Sequence, residues 1–274
     1  MINLVVALPA EARPLIRHYH LRSREPRGLF PVHENETIRL VVCGAGKVSA
    51  AAATAFLQAT GDHAGMQGWL NVGVAGHAEQ AIGEGLLAHR ITDQATGRQW
   101  YPPLVIDRPP PSGNLTTLDQ AGPEYPDETM LDMEASGYYP IACRDATAEL
   151  VHSYKVISDN RQSPAGSLNA ARVEDLVSGR LEEIDTLITQ VSELAHELRA
   201  LHAAPPELEL FEANWRFSVS QRHQLRRLLK RWHLILPGES AWSGLPVGLR
   251  HSREVIACLE ERIGVLMPDV PRHD

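Results

Sequence analysis

The chain has 274 residues, enough for one large domain or for a domain of about 200 residues with an appendage. With 43% hydrophobic and 22% charged residues, its composition is that of a globular protein and excludes a disordered one. The net charge of −8 disfavours nucleic acid and anionic membranes as partners. Three cysteines, far apart and without CxxC spacing, favour a reducing cytoplasm over disulfides or zinc.

The first element is an apolar, β-rich run at residues 2–8, which is too short for a signal peptide or a membrane span. A proline then leads into a short helix, so the pattern predicts a buried strand feeding a helix. Ligands of open α/β sheets bind at the carboxyl ends of strands, and Glu11 stands there as a candidate catalytic base. The alternative is an exposed charge in the first turn of the helix.

A second strand is predicted at residues 37–43, and a glycine turn then leads into an alanine-rich helix that runs to about Ala59. The glycine spacing fits neither the dinucleotide-binding fingerprint nor a Walker A loop, and no cofactor is predicted. Lys47 in this turn is a phosphate contact or a structural residue.

The third strand begins at residues 69–72, and small residues at 73–77 predict a closing loop. Such a loop leaves room for a ligand beside backbone N–H groups, although a plain tight turn has the same composition. Further strands are predicted at residues 85–92 and 115–118.

Glu134 lies between an extended segment and a helical one. After it, residues at a three/four spacing predict one buried helical face: Ala135, Tyr138, Tyr139 and Ala142. A carboxylate at a helix start is favoured by the unpaired N–H groups, so Glu134 is either a helix charge or a site residue.

The next predicted strand, residues 150–157, ends in Ser158-Asp159-Asn160. Asp159 is again a carboxylate at a strand end, which makes it a candidate site residue. Taken in isolation, the three residues favour an Asx turn.

The rest of the chain is predicted to be helical. A long amphipathic helix covers residues 181–201, and later helices cover about 221–233 and 252–264. We expect the apolar stripe of the first later helix to pack on the main domain or on a second subunit; it consists of Leu225, Leu228, Leu229 and Trp232. Its basic residues favour a solvated or interdomain face over a nucleic-acid surface.

Five segments of the chain occur in a definite order. They are strand-turn-Glu11, Gly44-Ala45-Gly46-Lys47-Val48, Asn71-Val72-Gly73-Val74-Ala75-Gly76, Asp132-Met133-Glu134-Ala135 and Val156-Ile157-Ser158-Asp159. In this order they resemble the purine nucleoside phosphorylase and methylthioadenosine/S-adenosylhomocysteine nucleosidase superfamily, with the nucleosidase branch the closer match. The resemblance covers about residues 1–200.

The resemblance implies an α/β protein with a three-layer α/β/α nucleoside phosphorylase-like domain at residues 1–203, whose central sheet is mixed and largely parallel. A helical C-terminal extension at residues 204–274 would follow. It also implies a homodimer that takes a small nucleoside as substrate, without a metal or cofactor.

The family also implies roles for matching positions. Asp159 would protonate the purine at N7, and Glu11 would help to activate water. Substrate contacts are expected at four further positions, with Glu134 on the ribose hydroxyls and Met133 against the sugar: Gly73, Met133, Glu134 and Ser158. These roles suit the chemistry, because cleaving an N-glycosidic bond develops positive charge on the sugar and negative charge on the base.

The sequence departs from the family pattern in places. Val74 stands where a hydroxyl residue is usual, Gln120-Ala121 stand where an aromatic would stack on the base, and aligning Glu11 requires a one-residue gap. Only about 60 residues separate Gly73 from Glu134, so the segment between them is shorter than is usual in the family.

We predict hydrolysis of a purine nucleoside, an adenosine modified at the 5′ position. A phosphate-dependent phosphorylase and a nucleoside-binding or partner-docking protein without catalysis are the alternatives. A metal enzyme is disfavoured, because the 13 histidines show no HExxH or comparable spacing.

Overall fold

A computed structural model of the protein describes residues 1–24, 29–61, 66–122, 125 and 128–266, without the side chains of residues 167, 201 and 202. The chain divides into two compact units, Met1–Leu201 and His202–Asp274. Within the described ranges, no helix combines the length and the apolar character needed to cross a bilayer.

The first unit is built on one mixed sheet, to which ten described strands contribute. The strands are β1 Ile2–Val6, β2 Arg22–Ser23, β3 Val32–Glu34, β4 Ile38–Val42, β5 Gly68–Gly76, β6 Gly85–Asp93, β7 Gln99–Trp100, β8 Ser112–Thr117, β9 Thr129–Asp132 and β10 Val151–Asp159. Their order across the sheet is β10-β6-β8-β9-β5-β1-β4-β3-β2, and β7 pairs with β6.

The helices of the first unit follow its strands along the chain. They are α1 Pro9–His18, α2 Lys47–Ala59, α3 Ala135–Ala142, α4 Ala170–Ser178 and α5 Leu181–His202, with short 3₁₀ turns at Ala148–Leu150 and Ala165–Ser167. Helix α1 packs with α4 and helix α2 with α3, and all four contact the sheet. The predicted α/β class with a central mixed sheet and flanking helices is confirmed.

The sheet is mixed. Strand β5 pairs parallel with β1 and β10 and antiparallel with β9. Antiparallel pairs also join β10 to β6, β3 to β4 and β2 to β3. Parallel pairs join β1 to β4, β6 to β8 and β8 to β9, and the parallel ladders are the longer ones, so the predicted mixed, largely parallel sheet is confirmed. Because β5 pairs with both β9 and β10, strands β5, β9, β8, β6 and β10 form a closed ring.

Strand β5 extends further than predicted. The small residues from Gly73 to Gly76 continue the strand and pair in register with Lys155–Asp159 of β10, instead of forming a loop. Glycine has a low strand propensity, so the sequence alone favoured a turn. Pairing on both sides overrides that preference and carries the end of β5 alongside the end of β10.

Helix α3 approaches the start of α2 very closely. A Cβ atom at Gly137 would lie 1.9 Å from the carbonyl oxygen of Lys47, so only glycine fits there. This contact fixes α3, and with it Glu134 at its N-cap, against the glycine turn at Gly44–Gly46.

The second unit contains helices α6 Leu208–Asn214, α7 Val219–Ile235 and α8 Ser252–Leu266. The apolar stripe of α7 lies in this unit's own core, which was not predicted. The core of this unit consists of Leu208, Phe211, Leu225, Leu228, Leu229, Trp232, Ala241, Val255, Ile256, Leu259 and Ile263. The expectation that the stripe packs on the main domain or a second subunit was wrong, because α6 and α8 supply the apolar partners within the unit.

Candidate active site

The carboxyl ends of β1, β5, β8, β9 and β10 surround a cavity of about 270 Å³. Five of the six predicted site residues line it together: Glu11, Met133, Glu134, Ser158 and Asp159. Their arrival at one end of the sheet follows from the strand-end placement of each motif.

Gly73, the sixth predicted residue, is not among the residues that line the cavity. It lies behind Glu11, where a Cβ atom would come within 2.7 Å of the Glu11 Oε1 atom. Gly76 provides the same kind of space for Asp159, since a Cβ atom there would lie 2.8 Å from Oδ2. The two glycines therefore make room for two carboxylates, and the prediction that Gly73 contacts substrate is not supported by its position.

Glu11 is buried and held by three backbone donors. Its Oε2 atom accepts hydrogen bonds from the N–H groups of Ala7 (2.9 Å) and Leu8 (2.8 Å), and Oε1 accepts one from Val74 (2.9 Å). Burial raises the pKa of Glu11, an effect that Lys155 and these donors partly oppose. The exposed helix charge is thus excluded, and Val74 contributes its backbone where a hydroxyl was expected.

Glu134 occupies the N-cap of α3 but does not cap that helix with its side chain. Its Oε1 atom instead accepts a hydrogen bond from the Gly46 N–H group (2.9 Å), and its Oε2 atom accepts a longer one from Met133 (3.3 Å). Asp132 supplies the cap by accepting from Ala135 N (2.9 Å). Burial raises the pKa of Glu134. Each of its oxygen atoms accepts one hydrogen bond from the backbone and can accept another, so the carboxyl group can also bind a ligand in the cavity.

Lys155 is a buried cation that the sequence analysis did not single out. Its ammonium lies 3.0 Å from Asp132 Oδ2 and 4.0 Å from Glu134 Oε2, and its side chain is 1% exposed. Burial opposes its charge, but Asp132, Glu134 and Glu11 together raise its pKa. One ammonium therefore stands among three buried carboxyl groups.

Asp159 also lines the cavity and accepts two hydroxyl hydrogen bonds. Ser158 Oγ donates to Oδ1 (2.5 Å) and Tyr125 Oη donates to Oδ2 (2.7 Å). The expected Asx turn is made by the neighbouring Asn160, whose Oδ1 accepts from the N–H groups of Gln162 and Ser163. Asp159 itself is directed at the cavity.

Lys47, the candidate phosphate contact, and Arg13, which lies near Glu11 in sequence, both form ion pairs away from the cavity. Lys47 pairs with Asp93 (2.9 Å) and Asp119 (2.7 Å). Arg13 pairs with Glu174 (2.5 Å) on α4. Neither lines the cavity, so Lys47 has the structural role.

Tyr125 and Lys155 were missed for different reasons. Lys155 is the only Lys, Arg, Asp or Glu in the predicted strand at residues 150–157, a pattern that signals a buried ion pair. Tyr125 falls in a proline- and acid-rich segment, where no periodicity marked it. It supplies an aromatic ring at the cavity, where Gln120-Ala121 had suggested that none would be found. Over the described ranges, no group of His, Cys, Asp and Glu is arranged to hold a metal ion.

Solved structures with the same fold include nucleosidases. A mutant of the Helicobacter pylori MTAN with 5′-methylthioadenosine in its active site is 14% identical, with a TM-score of 0.56 over 69% of this chain and 97% of that one. The Arabidopsis thaliana 5′-methylthioadenosine nucleosidase is 17% identical, with a TM-score of 0.57 over 69% of this chain and 95% of that one. Futalosine hydrolase of Helicobacter pylori is 15% identical, with a TM-score of 0.51 over 69% of this chain and 97% of that one.

These structural neighbours are members of the nucleoside phosphorylase superfamily, so the predicted resemblance is confirmed at the level of the fold. No protein-family model matches the sequence, and no curated protein matches it either.

Proposed function

We propose that the protein hydrolyses the N-glycosidic bond of a purine nucleoside. One observation carries the proposal: a single cavity is lined by Glu11, Glu134 and Asp159, all buried near the carboxyl ends of strands. This reaction needs a base for water, a group that stabilises the sugar cation and an acid for the leaving purine.

On the sugar side, Glu11 takes a proton from water while the water oxygen bonds to C1′. Its three backbone donors fix the carboxylate, and burial raises its pKa, which makes the ionised form a stronger base. Glu134 accepts the ribose hydroxyls, and its negative charge stabilises the cation developing on the sugar. Met133 covers the sugar as an apolar wall.

On the base side, the C1′–N9 bond breaks and its electron pair passes to the purine. Asp159 enters this step protonated and delivers that proton to N7, which neutralises the leaving group and leaves Asp159 as the carboxylate. The hydroxyls of Ser158 and Tyr125 hold the Asp159 carboxyl group in place for this transfer. Gly76 admits the Asp159 side chain next to the strand without a clash.

Hydrolysis is favoured over phosphorolysis by the charges around the cavity. A phosphate dianion needs convergent arginines or free N–H groups. The described lining contains four acids and no arginine: Glu11, Asp132, Glu134 and Asp159. Lys155 is already paired with Asp132, and the N–H groups of Ala7, Leu8 and Val74 are taken by Glu11.

The substrate class that we propose is adenosine modified at the 5′ position. Much of the cavity wall is apolar, including Leu118, Leu131 and Leu168, and suits a purine ring and a hydrophobic substituent. Two of the structural neighbours hold 5′-methylthioadenosine and adenine. A homodimer and a cytoplasmic location are further proposals; the first rests on the resemblance and is tested by sedimentation.

The decisive experiment incubates the purified protein with a panel of purine nucleosides, at zero and at millimolar phosphate. We expect release of free base at the same rate in both conditions, with free sugar as the second product. A sugar 1-phosphate, or release that requires phosphate, would establish a phosphorylase instead. Nucleosides that raise the melting temperature without being cleaved would favour the binding protein.

A further inference from the structure

The proposed reaction uses Glu11 and Glu134, but a buried ion pair that no step requires lies beside Glu134. Asp132 and Lys155 lie 3.0 Å apart, and both side chains are almost completely buried. Burying two charges is costly, and replacing such a pair with apolar residues is often neutral or stabilising. Stability alone therefore does not explain this pair.

Asp132 is held in place by two further hydrogen-bond donors. Its Oδ1 atom accepts a hydrogen bond from Thr117 Oγ1 (2.7 Å), and its Oδ2 atom accepts from Ala135 N (2.9 Å) as well as pairing with Lys155. These contacts hold the ammonium closer to Asp132 than to Glu134, which is 4.0 Å away.

We propose that Asp132 is a positioning residue, which draws the Lys155 ammonium away from Glu11 and Glu134 so that Glu11 keeps the basicity needed to take a proton from water. The inference rests on the proposed hydrolysis and concerns the same site. An ammonium bound directly to Glu11 would stabilise its ionised form and make it a poor base. With the charge of Lys155 already matched by Asp132, Glu11 and Glu134 interact with a nearly neutral pair.

The groups that face Glu11 come from four elements. Lys155 lies on β10, Glu134 at the start of α3, Asp132 at the end of β9 and Cys43 just after β4. Burial, together with Glu134 and Glu11, raises the pKa of Cys43 to about 12, so the thiol stays neutral through the range in which the carboxyl groups titrate. Lys155 lowers the pKa of both glutamates, whereas Asp132 raises that of Glu134.

The two members of the pair should therefore act in opposite directions. In Lys155→Met, the acid limb of the pH profile of kcat/KM should move up by about 1–3 pH units, because both glutamates lose a nearby cation. In Asp132→Asn, the limb should move down by about one pH unit, because the ammonium then turns to the glutamates. A role confined to folding would lower activity in both variants without opposite shifts.

The double variant Asp132→Asn/Lys155→Met removes both charges and leaves no buried ion unpaired. Its acid limb should return to within about half a unit of the original, since a nearly neutral pair has been removed. Lys47→Met is the matched control, because Lys47 also bridges two acids but does not line the cavity. The limb should not move in that control.

A second readout keeps this inference separate from the proposed function. The glutamate side-chain carboxyl carbons of ¹³C-labelled full-length protein report titration by NMR without any substrate, and Glu11→Gln assigns the relevant signal. If no nucleoside is cleaved, the proposed hydrolysis fails, yet opposite shifts of the Glu11 titration in the two single variants would still support the positioning role. Shifts in the same direction, or none, would overturn it.

Discussion

Both units of the molecule have an apolar core, but among the described residues only the first unit also buries charged side chains. At the strand ends of the first unit, Glu11, Glu134 and Lys155 are buried together. The second unit buries an apolar cluster in which the rings of Phe211 and Trp242 lie 5.2 Å apart, centroid to centroid. Buried charges are costly whereas buried apolar surface stabilises. The first region is therefore arranged for chemistry and the second for stability.

The charges of the second unit support this contrast, because they lie at its surface. Arg222 on α7 pairs with Glu212 at 2.7 Å, but its side chain is 57% exposed. Exposed pairs of this kind contribute about 0–1 kcal/mol. The stability of this unit must therefore come from its apolar cluster.

The largest effect is expected for Asp159→Asn, which keeps the shape of the side chain but removes the proton it delivers. Turnover should fall by about 10²–10⁴-fold, the range typical of general acid catalysis. The denaturation midpoint should change little. Steady-state assays on the best nucleoside, together with urea unfolding, measure both quantities.

Asp185→Asn is the control for that variant. Asp185 also accepts a short hydrogen bond from a tyrosine, Tyr19 (2.6 Å), but it lies outside the cavity. The turnover of the Asp185→Asn variant should equal that of the unchanged protein. Equal losses in the two variants would mean that Asp159 acts through folding and not as an acid.

The next effect concerns the apolar cluster of the second unit. Trp232 is buried on α7, donates a hydrogen bond to the Glu239 carbonyl (2.9 Å) and stacks under Arg262. Trp232→Ala should destabilise this unit by about 3–5 kcal/mol, as large core truncations do. Unfolding followed by fluorescence of the remaining tryptophans should show it.

Base release by the first unit should survive Trp232→Ala, because the cluster contains no residue of that unit. Leu234→Ala is the matched control, since Leu234 lies on the same helix and is 78% exposed. If base release is lost when the second unit unfolds, the two units depend on each other.

The smallest effects are expected for one glycine-to-alanine substitution in each unit, and they should change the free energy of unfolding in opposite directions. Gly137→Ala would place a methyl group against the Lys47 carbonyl and should destabilise the first unit by about 1–3 kcal/mol. Gly264→Ala, in α8, meets no atom within 4 Å and should stabilise the second unit by about 0.5–1 kcal/mol. Calorimetry of the two variants measures both, and two losses of equal size would contradict the difference in packing.

The sequence was most informative where a carboxylate follows a strand. Glu11, Glu134 and Asp159 were each predicted from that placement, and the structure brings all three to one cavity. The strand-end rule works because parallel strands present their carboxyl ends at the same edge. Their catalytic roles stay predictions.

Features that depend on three-dimensional pairing were not predictable. Whether Lys155 meets Asp132 depends on the register between strands, which no local pattern encodes. The residues after Gly73 looked like a loop because their propensity is low, and pairing with β10 overrides it. The stripe of α7 was placed on the wrong partner, since periodicity shows that a face is buried but not against what.

The closed ring of strands has a consequence for how the protein is made. Strand β10 is the last to be synthesised, and it pairs with β5 from Val151 and Trp69 onward, across about 80 residues of chain. Closing so long a loop is slow, because its entropy is lost before the contacts form. Until then the nascent chain holds Glu11 and Glu134 without Lys155 or Asp159. The strand that completes the ring also brings Lys155 and Asp159, so the proposed hydrolysis requires the completed ring.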